Sequence, residues 1–215
     1  MSNAKTTRPH LADGSGSLDK ADMGRAPIRT VDEYEGNPVG LPDEACIELK
    51  GHLDRHLAAY NLLYNQYHKH HWLVAGPQFR DLHLFLEGHY NEIHAQLDEI
   101  AERLTVLGGI PTCSPSEQEK LAYIQHEPEG QFPIRDMLEL DILCERQVCI
   151  ELRKSVHVAL NHSDFGTKRL LEKLLAHAED RAHHLEHFLE DDSLEVGLTA
   201  SEGDLAEDPV LEAVA

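Results

Sequence analysis

The amino-acid sequence predicts an all-α protein built as a four-helix bundle. Four long segments repeat apolar residues at helical spacing, and Gly or Pro separates successive segments. The connection between the second and third segments is long for a bundle, which is typical of folds with one crossover. Apolar residues make up 41% of the 215 residues, enough to bury a sizeable core within one domain.

The first two predicted helices follow each other closely. The first begins near Leu41 with Pro and acidic residues in LPDEACIELK, and its leucines recur at helical spacing. The Gly-Pro pair at 76–77 breaks the chain, and the second helix then continues until the Gly-Gly pair at 108–109.

The remainder of the chain supplies a crossover, two more helices and two tails. The crossover contains SPSEQEKLAYI, which predicts a short extra helix. Pro133 opens the third long helix, which continues to about Asn161, and TKRLLEKLLAHAEDRAHHLEHFLEDD forms the fourth. Residues 1–42 lack apolar periodicity and predict a disordered arm, residues 43–190 the bundle, and residues 191–215 an acidic tail.

The charge balance disfavours nucleic acid as a partner. The formal net charge is −20, the first 42 residues hold five Lys or Arg against six Asp or Glu, and the stretch from residue 190 holds nine acids and no base. Binding to phosphates depends on Lys and Arg, so we expect no direct DNA binding from this composition. Acidity of this degree suits the storage of cations or a salty cytoplasm.

The sequence also predicts a cytoplasmic protein that does not enter the membrane. Its first residues lack the apolar core of a secretory signal, and no run approaches the roughly 18 apolar residues of a membrane span. The four cysteines form no CxxC pair, which favours reduced, buried thiols over a disulfide framework or a thiolate zinc site.

The second helix carries a stripe of potential metal ligands. With His83 set at zero and about 100° per residue, Glu87 falls near 40°, Asp98 near 60° and Glu102 near 100°. The stripe borders the apolar face, so we expect it to be at least half buried. Imidazole and carboxylate without thiolate suit Fe(II), Mn(II) or Zn(II). A solvated helix face remains an open alternative for pairs with this spacing.

Spacing along the helix indicates a site shared by two subunits. The pair His83 and Glu87 and the pair Asp98 and Glu102 each lie one turn apart, but about 16 Å of helix separates Glu87 from Asp98. One ion cannot bind both pairs of the same chain. If two second helices pack antiparallel about a twofold axis, each pair can face the other pair of its partner, and His71 can add a further ligand.

The residues themselves resemble a known family, the Dps proteins or mini-ferritins, over roughly residues 43–190. The stretch HHWLVAGPQFRDLH, an acid four residues later, and DEIAER match the family pattern. The positions that correspond to its ligands are His71, His83, Glu87, Asp98 and Glu102.

This resemblance implies a ferritin-like fold, a hollow dodecamer and ferroxidase sites at twofold interfaces. Fe(II) would be oxidised there, commonly by hydrogen peroxide, and ferric mineral stored inside, which protects against oxidative stress. His71 and His83 would come from one subunit, Asp98 and Glu102 from the other, with Glu87 tuning a weaker second iron position. Zinc is a further candidate for these or secondary sites, and Trp72 is interpreted as an interface anchor.

Two alternative functions differ in their sequence requirements. Many Dps proteins bind DNA through Lys-rich tails, so a nucleoid-protecting protein is the alternative function, but neither tail here is basic. A larger ferritin with a di-iron site inside one subunit would need Glu-x-x-His on two helices, and the chain has no Glu-x-x-His.

The fourth helix suggests secondary metal ligands. Its histidines and acids fall within an arc of about 120° around the helix axis, which could form a metal site. The alternative is again that these residues form a solvated helix face. Asp164 matches an acidic position that in the family lies near the threefold iron-entry pore. The secondary candidates are therefore Asp164, Asp180, His183, His184 and His187, with His177 and Asp191 on the same face.

Overall fold

Five helices and no strand form within residues 27–190, the part of the chain described by the computed structural model. Four long helices make the bundle and a short one lies within the crossover, which confirms the predicted all-α architecture. Their bounds are Asp43–Leu73 for α1, Phe79–Val106 for α2, Pro115–Leu121 for α3, Ile134–Asn161 for α4 and Phe165–Leu189 for α5.

The apolar stripe predicted on α2 faces the core. Leu82, Leu86, Ile93 and Leu104 are buried, and they recur at the spacing that places them on one side of a helix. The other long helices contribute equivalent stripes, so that one continuous apolar cluster extends through the bundle. The polar faces of the helices are thereby directed outwards, and the candidate ligands of α2 lie beside its buried stripe.

The crossover runs along α1 and sets the direction of α4. Near its start Thr112 N donates to the Asp54 carboxylate (2.8 Å), and near its end Glu127 N donates to the Gln66 side chain (3.0 Å). The chain therefore travels in the same direction as α1. Early in α4, Asp141 accepts a hydrogen bond from the same Gln66 side chain (2.8 Å), and later in α4 the Ser155 hydroxyl lies 2.8 Å from His56 Nε2, so α4 runs antiparallel to α1.

The segment before α1 follows a defined path across the end of α2. Gly108 O accepts hydrogen bonds from Arg29 Nη1 (2.8 Å) and from Glu35 N (3.3 Å). Gly108 has φ +83°, and a Cβ there would lie 1.8 Å from Glu35 O, so only glycine allows this crossing. These contacts hold the segment before α1 against the bundle. The rest of the predicted disordered arm, residues 1–26, and the acidic tail at 191–215 lie outside the described residues.

Candidate metal centre

The loop between α1 and α2 brings His71 and His83 into direct contact. His71 lies in the last turn of α1 and His83 in the second turn of α2. Their rings stack with centroids 3.7 Å apart and an interplanar angle of 23°. His71 Nδ1 lies 2.9 Å from His83 O, and His83 Nδ1 lies 2.9 Å from His71 O. The two residues thus hold each other reciprocally.

These hydrogen bonds determine which nitrogen can bind a metal ion. A carbonyl oxygen only accepts, so each Nδ1 must carry the proton and donate it. In a neutral imidazole the other nitrogen, Nε2, then has a free lone pair. His71 is only 8% exposed, so its orientation is fixed by packing as well as by hydrogen bonding. The pair therefore presents two oriented nitrogen ligands of the type found around bound metal ions.

The carboxylates of the stripe are positioned differently from the histidines. Glu87 lies one turn after His83 and is half buried, whereas Asp98 and Glu102 are exposed in the chain. The expectation of a half-buried stripe is wrong for these two acids in the single chain, because they lie on a face of α2 that is turned away from the core. Among residues 27–190, no three His, Cys, Asp or Glu side chains converge as a metal site would require.

The acid proposed near an iron-entry pore has a structural role in the chain. Asp164 is the N-cap of α5, and its Oδ1 accepts hydrogen bonds from Thr167 N (2.9 Å) and Arg103 Nη2 (2.8 Å). Its second oxygen accepts from the Thr167 hydroxyl. Burial alone would raise the pKa of Asp164, but the hydrogen bonds from Thr167 and Arg103 outweigh it and lower that pKa. Asp164 therefore caps a helix, and both its oxygens are occupied.

The secondary candidates on α5 separate into one close pair and several isolated residues. His183 Nε2 and His187 Nε2 lie 3.2 Å apart. His184 instead faces His89, with ring centroids 6.4 Å apart, and His177 pairs with Glu92. Asp180 is exposed without joining the pair, and Asp191 lies outside the described residues. Of the candidates on α5 that the structure describes, only His183 and His187 therefore have ring nitrogens close enough to share one ion.

The centre of the bundle contains a buried ion pair that the sequence reasoning missed. Arg181 Nε and Nη2 donate to the two oxygens of Glu145 at 2.6 and 3.1 Å, and Nη1 donates to Glu92 at 2.6 Å. Arg181 is 2% exposed and Glu145 is fully buried. The sequence does indicate that Arg181 is buried, because this residue follows Leu174 and Ala178 at the spacing of core residues. The guanidinium supplies the counter-charge that the buried carboxylate of Glu145 needs.

Comparison with known proteins identifies the family of the chain. A ferritin-like domain model matches residues 50–194. The chain is 39% identical over 170 residues to the Nutrient stress-induced DNA-binding protein of Nostoc sp., covering 79% of this chain and 92% of that protein. The crystal structure of an archaeal Dps homologue from Halobacterium salinarum matches with a TM-score of 0.77 at 34% identity, covering 84% of this chain and 98% of that one. The chain belongs to the Dps family.

Another solved structure that the chain resembles is described in terms of its metal chemistry. The Dps protein of Vibrio cholerae O1, described as a member of a broad superfamily of ferritin-like diiron-carboxylate proteins, matches with a TM-score of 0.69 at 25% identity, covering 74% of this chain and 99% of that one. Family membership supports a role for this Dps protein in iron storage and protection. No helix in the described part of the chain combines the length and apolar character needed to cross a membrane.

Proposed function

We propose that this Dps protein is a ferroxidase that oxidises Fe(II) with hydrogen peroxide at sites shared by two subunits and stores ferric mineral in a hollow shell of twelve. The observation that carries the proposal is the His71 and His83 pair. It presents two free Nε2 atoms but has no third ligand within the described chain. The missing carboxylates must then come from elsewhere.

A second copy of α2 can supply them. Asp98 and Glu102 are exposed and lie on the same stripe as His83, one turn from each other. In a twofold contact between antiparallel helices, each histidine pair meets the acids of the other copy, and the contact repeats itself reciprocally. Two equivalent sites would therefore form at every such interface.

Apolar side chains around the histidines favour this surface as the contact. Trp72, next to His71, is 67% exposed, and Phe79, whose ring lies 4.9 Å from that of His83, is 44% exposed. Large aromatic side chains are enriched at the centres of protein interfaces. Burying both in a subunit contact would exclude water from the proposed site, and Trp72 keeps its predicted role as an interface anchor.

The ligand set suits the proposed chemistry. The neutral imidazoles of His71 and His83 bind Fe(II), and the carboxylates stabilise Fe(III) over Fe(II), which favours loss of an electron. One hydrogen peroxide accepts one electron from each of two Fe(II) ions; its O–O bond breaks, and its oxygens take up two protons to become two waters. Glu87 would hold the second iron more weakly, so that the ferric product can leave for the cavity.

DNA binding is the second candidate function, because the Nostoc relative is named a DNA-binding protein. The charge of this chain opposes it. The net charge is −20, the first 42 residues are near neutral, and the last 26 hold nine acids and no base. We therefore keep ferroxidase as the proposed function and DNA binding as its alternative.

Complementation between two inactive variants tests the division of ligands. One variant carries His71→Ala and His83→Ala, and the other carries Asp98→Ala and Glu102→Ala. Each should assemble to about twelve subunits by native mass but lose rapid peroxide-driven Fe(II) oxidation. Random co-assembly makes half of the dimers mixed, and each mixed dimer has one intact site of two, so activity should recover to about a quarter of wild type.

A matched control removes two carboxylates that are exposed elsewhere. The variant Glu119→Ala with Glu129→Ala also removes two negative charges, but it removes them from the crossover. This variant should keep full activity. A site built within one subunit predicts no recovery on mixing, since every subunit still lacks half its ligands. Activity that stays at the level of the separate variants, with mixing verified by native mass, refutes the shared site.

A further inference from the structure

We propose that His183 and His187 form a second metal site, which binds a late first-row divalent ion such as Zn(II) independently of the ferroxidase site. Their Nε2 atoms lie 3.2 Å apart. When two nitrogens each lie about 2.1 Å from one zinc ion, the distance between them depends on the N–Zn–N angle. It is about 3.0 Å for a right angle and about 3.4 Å for the tetrahedral angle. The observed separation falls between these values, so both nitrogens can reach one ion with little movement.

The positions of the histidines along α5 provide this geometry. They are four residues apart, so both side chains project from the same face, one turn apart. The same spacing places the two histidines of H-E-x-x-H motifs on a single zinc ion. The rings meet edge to face with centroids 4.4 Å apart, and both side chains are exposed. An ion can therefore approach from solvent without opening the bundle.

Glu190 lies beside the second histidine, with its Oε1 3.3 Å from His187 Nδ1. In the tautomer that places the His187 proton on Nδ1, towards this carboxylate, Nε2 has the lone pair. In the metal-free protein His183 Nε2–H then donates to that lone pair. When an ion binds, the His183 proton moves to Nδ1 of its own ring, so both histidines become ligands without a net loss of protons.

The surroundings favour a cation. His187 lies in the last turn of α5, where the partial negative charge of the helix C-terminus attracts positive charge. Arg146 on α4 lines the same surface groove as His183, but it is paired with Glu186 at 3.2 Å, so its charge is offset. Since no third His, Cys, Asp or Glu side chain among the described residues joins the pair, water would complete the coordination, and the affinity should be lower than that of a site with four protein ligands.

Zinc titration of the metal-free, full-length protein tests the site. The background variant His71→Ala with His83→Ala removes the nitrogens of the proposed ferroxidase site. In that background, equilibrium dialysis should find one histidine-dependent zinc per chain. His187→Ala should weaken this binding at least tenfold, whereas His184→Ala, the adjacent exposed histidine on α5, should leave it unchanged.

A spectroscopic measurement distinguishes histidine ligation from binding by carboxylates. Cu(II) bound to the background variant, or to the background variant with His184→Ala, should show hyperfine coupling to two nitrogens, which either His183→Ala or His187→Ala reduces to one. Zinc binding that is equal in the His183→Ala, His187→Ala and His184→Ala variants, or copper without nitrogen coupling, overturns the proposal. Because ferroxidase activity is not measured, the result does not depend on the proposed function. If the background variant does not assemble, His183→Ala, His187→Ala and His184→Ala can each be made in the wild-type protein. The bound zinc per chain is then compared between each variant and wild type.

Discussion

The buried ion pair in the bundle centre allows a quantitative prediction about stability. Arg181 donates to both oxygens of Glu145, and neither residue is more than 2% exposed. Arg181→Met keeps much of the side-chain volume but removes the charge, leaving Glu145 buried without its partner. Removing one member of a buried pair costs about 3–5 kcal/mol. This is a large part of the roughly 5–15 kcal/mol by which domains are stable.

The double variant separates charge from packing. Arg181→Met with Glu145→Gln leaves no buried charge at this pair, and the amide oxygen of the introduced glutamine can still accept the hydrogen bond that Tyr67 donates to Glu145 (2.9 Å). Neutral replacement of a whole buried pair often costs little, so the double variant should be more stable than Arg181→Met. Arg146→Met is the control, because its pair with Glu186 is exposed and should contribute less than about 1 kcal/mol.

The effect of pH provides an independent check. Burial raises the pKa of Glu145, and Arg181 acts against that rise. Removing Arg181 should raise this pKa further, so the folded variant holds a proton that the unfolded chain has released. The free energy of unfolding of Arg181→Met should then fall as pH rises above the unfolded pKa, and the destabilisation should be larger at about pH 8 than at about pH 5.

Urea unfolding followed by circular dichroism measures these differences. Wild type and variants are compared at equal protein concentration, because subunit association adds to apparent stability. A loss below about 1 kcal/mol for Arg181→Met, or a double variant less stable than the single one, refutes the reasoning that an unpaired buried carboxylate dominates.

Two further predictions concern acid stability and nucleic acid. Burial, the largest effect, lowers the pKa of His56 and of His89 from 6.5 to about 3, so between these values the unfolded chain binds protons that the native chain does not. The free energy of unfolding should therefore fall as pH falls from about 6.5 towards about 3, by on the order of 4 kcal/mol for His56. The variant His56→Gln should show a flatter curve of urea midpoint against pH than wild type. An unchanged slope in this variant contradicts the prediction. The metal-free protein should not retard duplex DNA at moderate salt without bridging divalent cations, because neither tail is basic, and tight, salt-sensitive binding in a gel-shift assay would favour the alternative function.

The helices were predictable because their signals are local. Gly108 ends α2 and Pro133 precedes α4, as their backbone preferences require, and the apolar spacing of each helix identified its buried face. The contact between His71 and His83 was predictable only in outline. That each Nδ1 donates to the carbonyl of the other histidine depends on the path of the loop at residues 74–78, which no helical periodicity determines.

Features that depend on tertiary contacts were not predictable. The exposure of Asp98 and Glu102 depends on which parts of α2 the other helices cover, and an angular plot of one helix does not contain that information. Asp164 was assigned by its place in a family pattern, whereas its hydrogen bonds to Arg103 and Thr167 make it a helix cap. Arg181 lies at core spacing, but a charged residue at such a position is informative only when its partner on α4 is known.

The Glu145–Arg181 pair and the proposed ferroxidase ligands differ in how their charge is balanced. This difference explains why the proposed ferroxidase site is divided between two subunits. Glu145 carries a charge inside the bundle, and Arg181 offsets it permanently. In the His71 and His83 pair each Nδ1–H is bonded to a carbonyl, so these hydrogen bonds are satisfied within one chain, which can fold without iron. In the proposed arrangement Asp98 and Glu102 become buried only when subunits assemble, and Fe(II) then supplies their counter-charge. Oxidation would therefore begin only in an assembled shell, where a cavity exists to receive the ferric product.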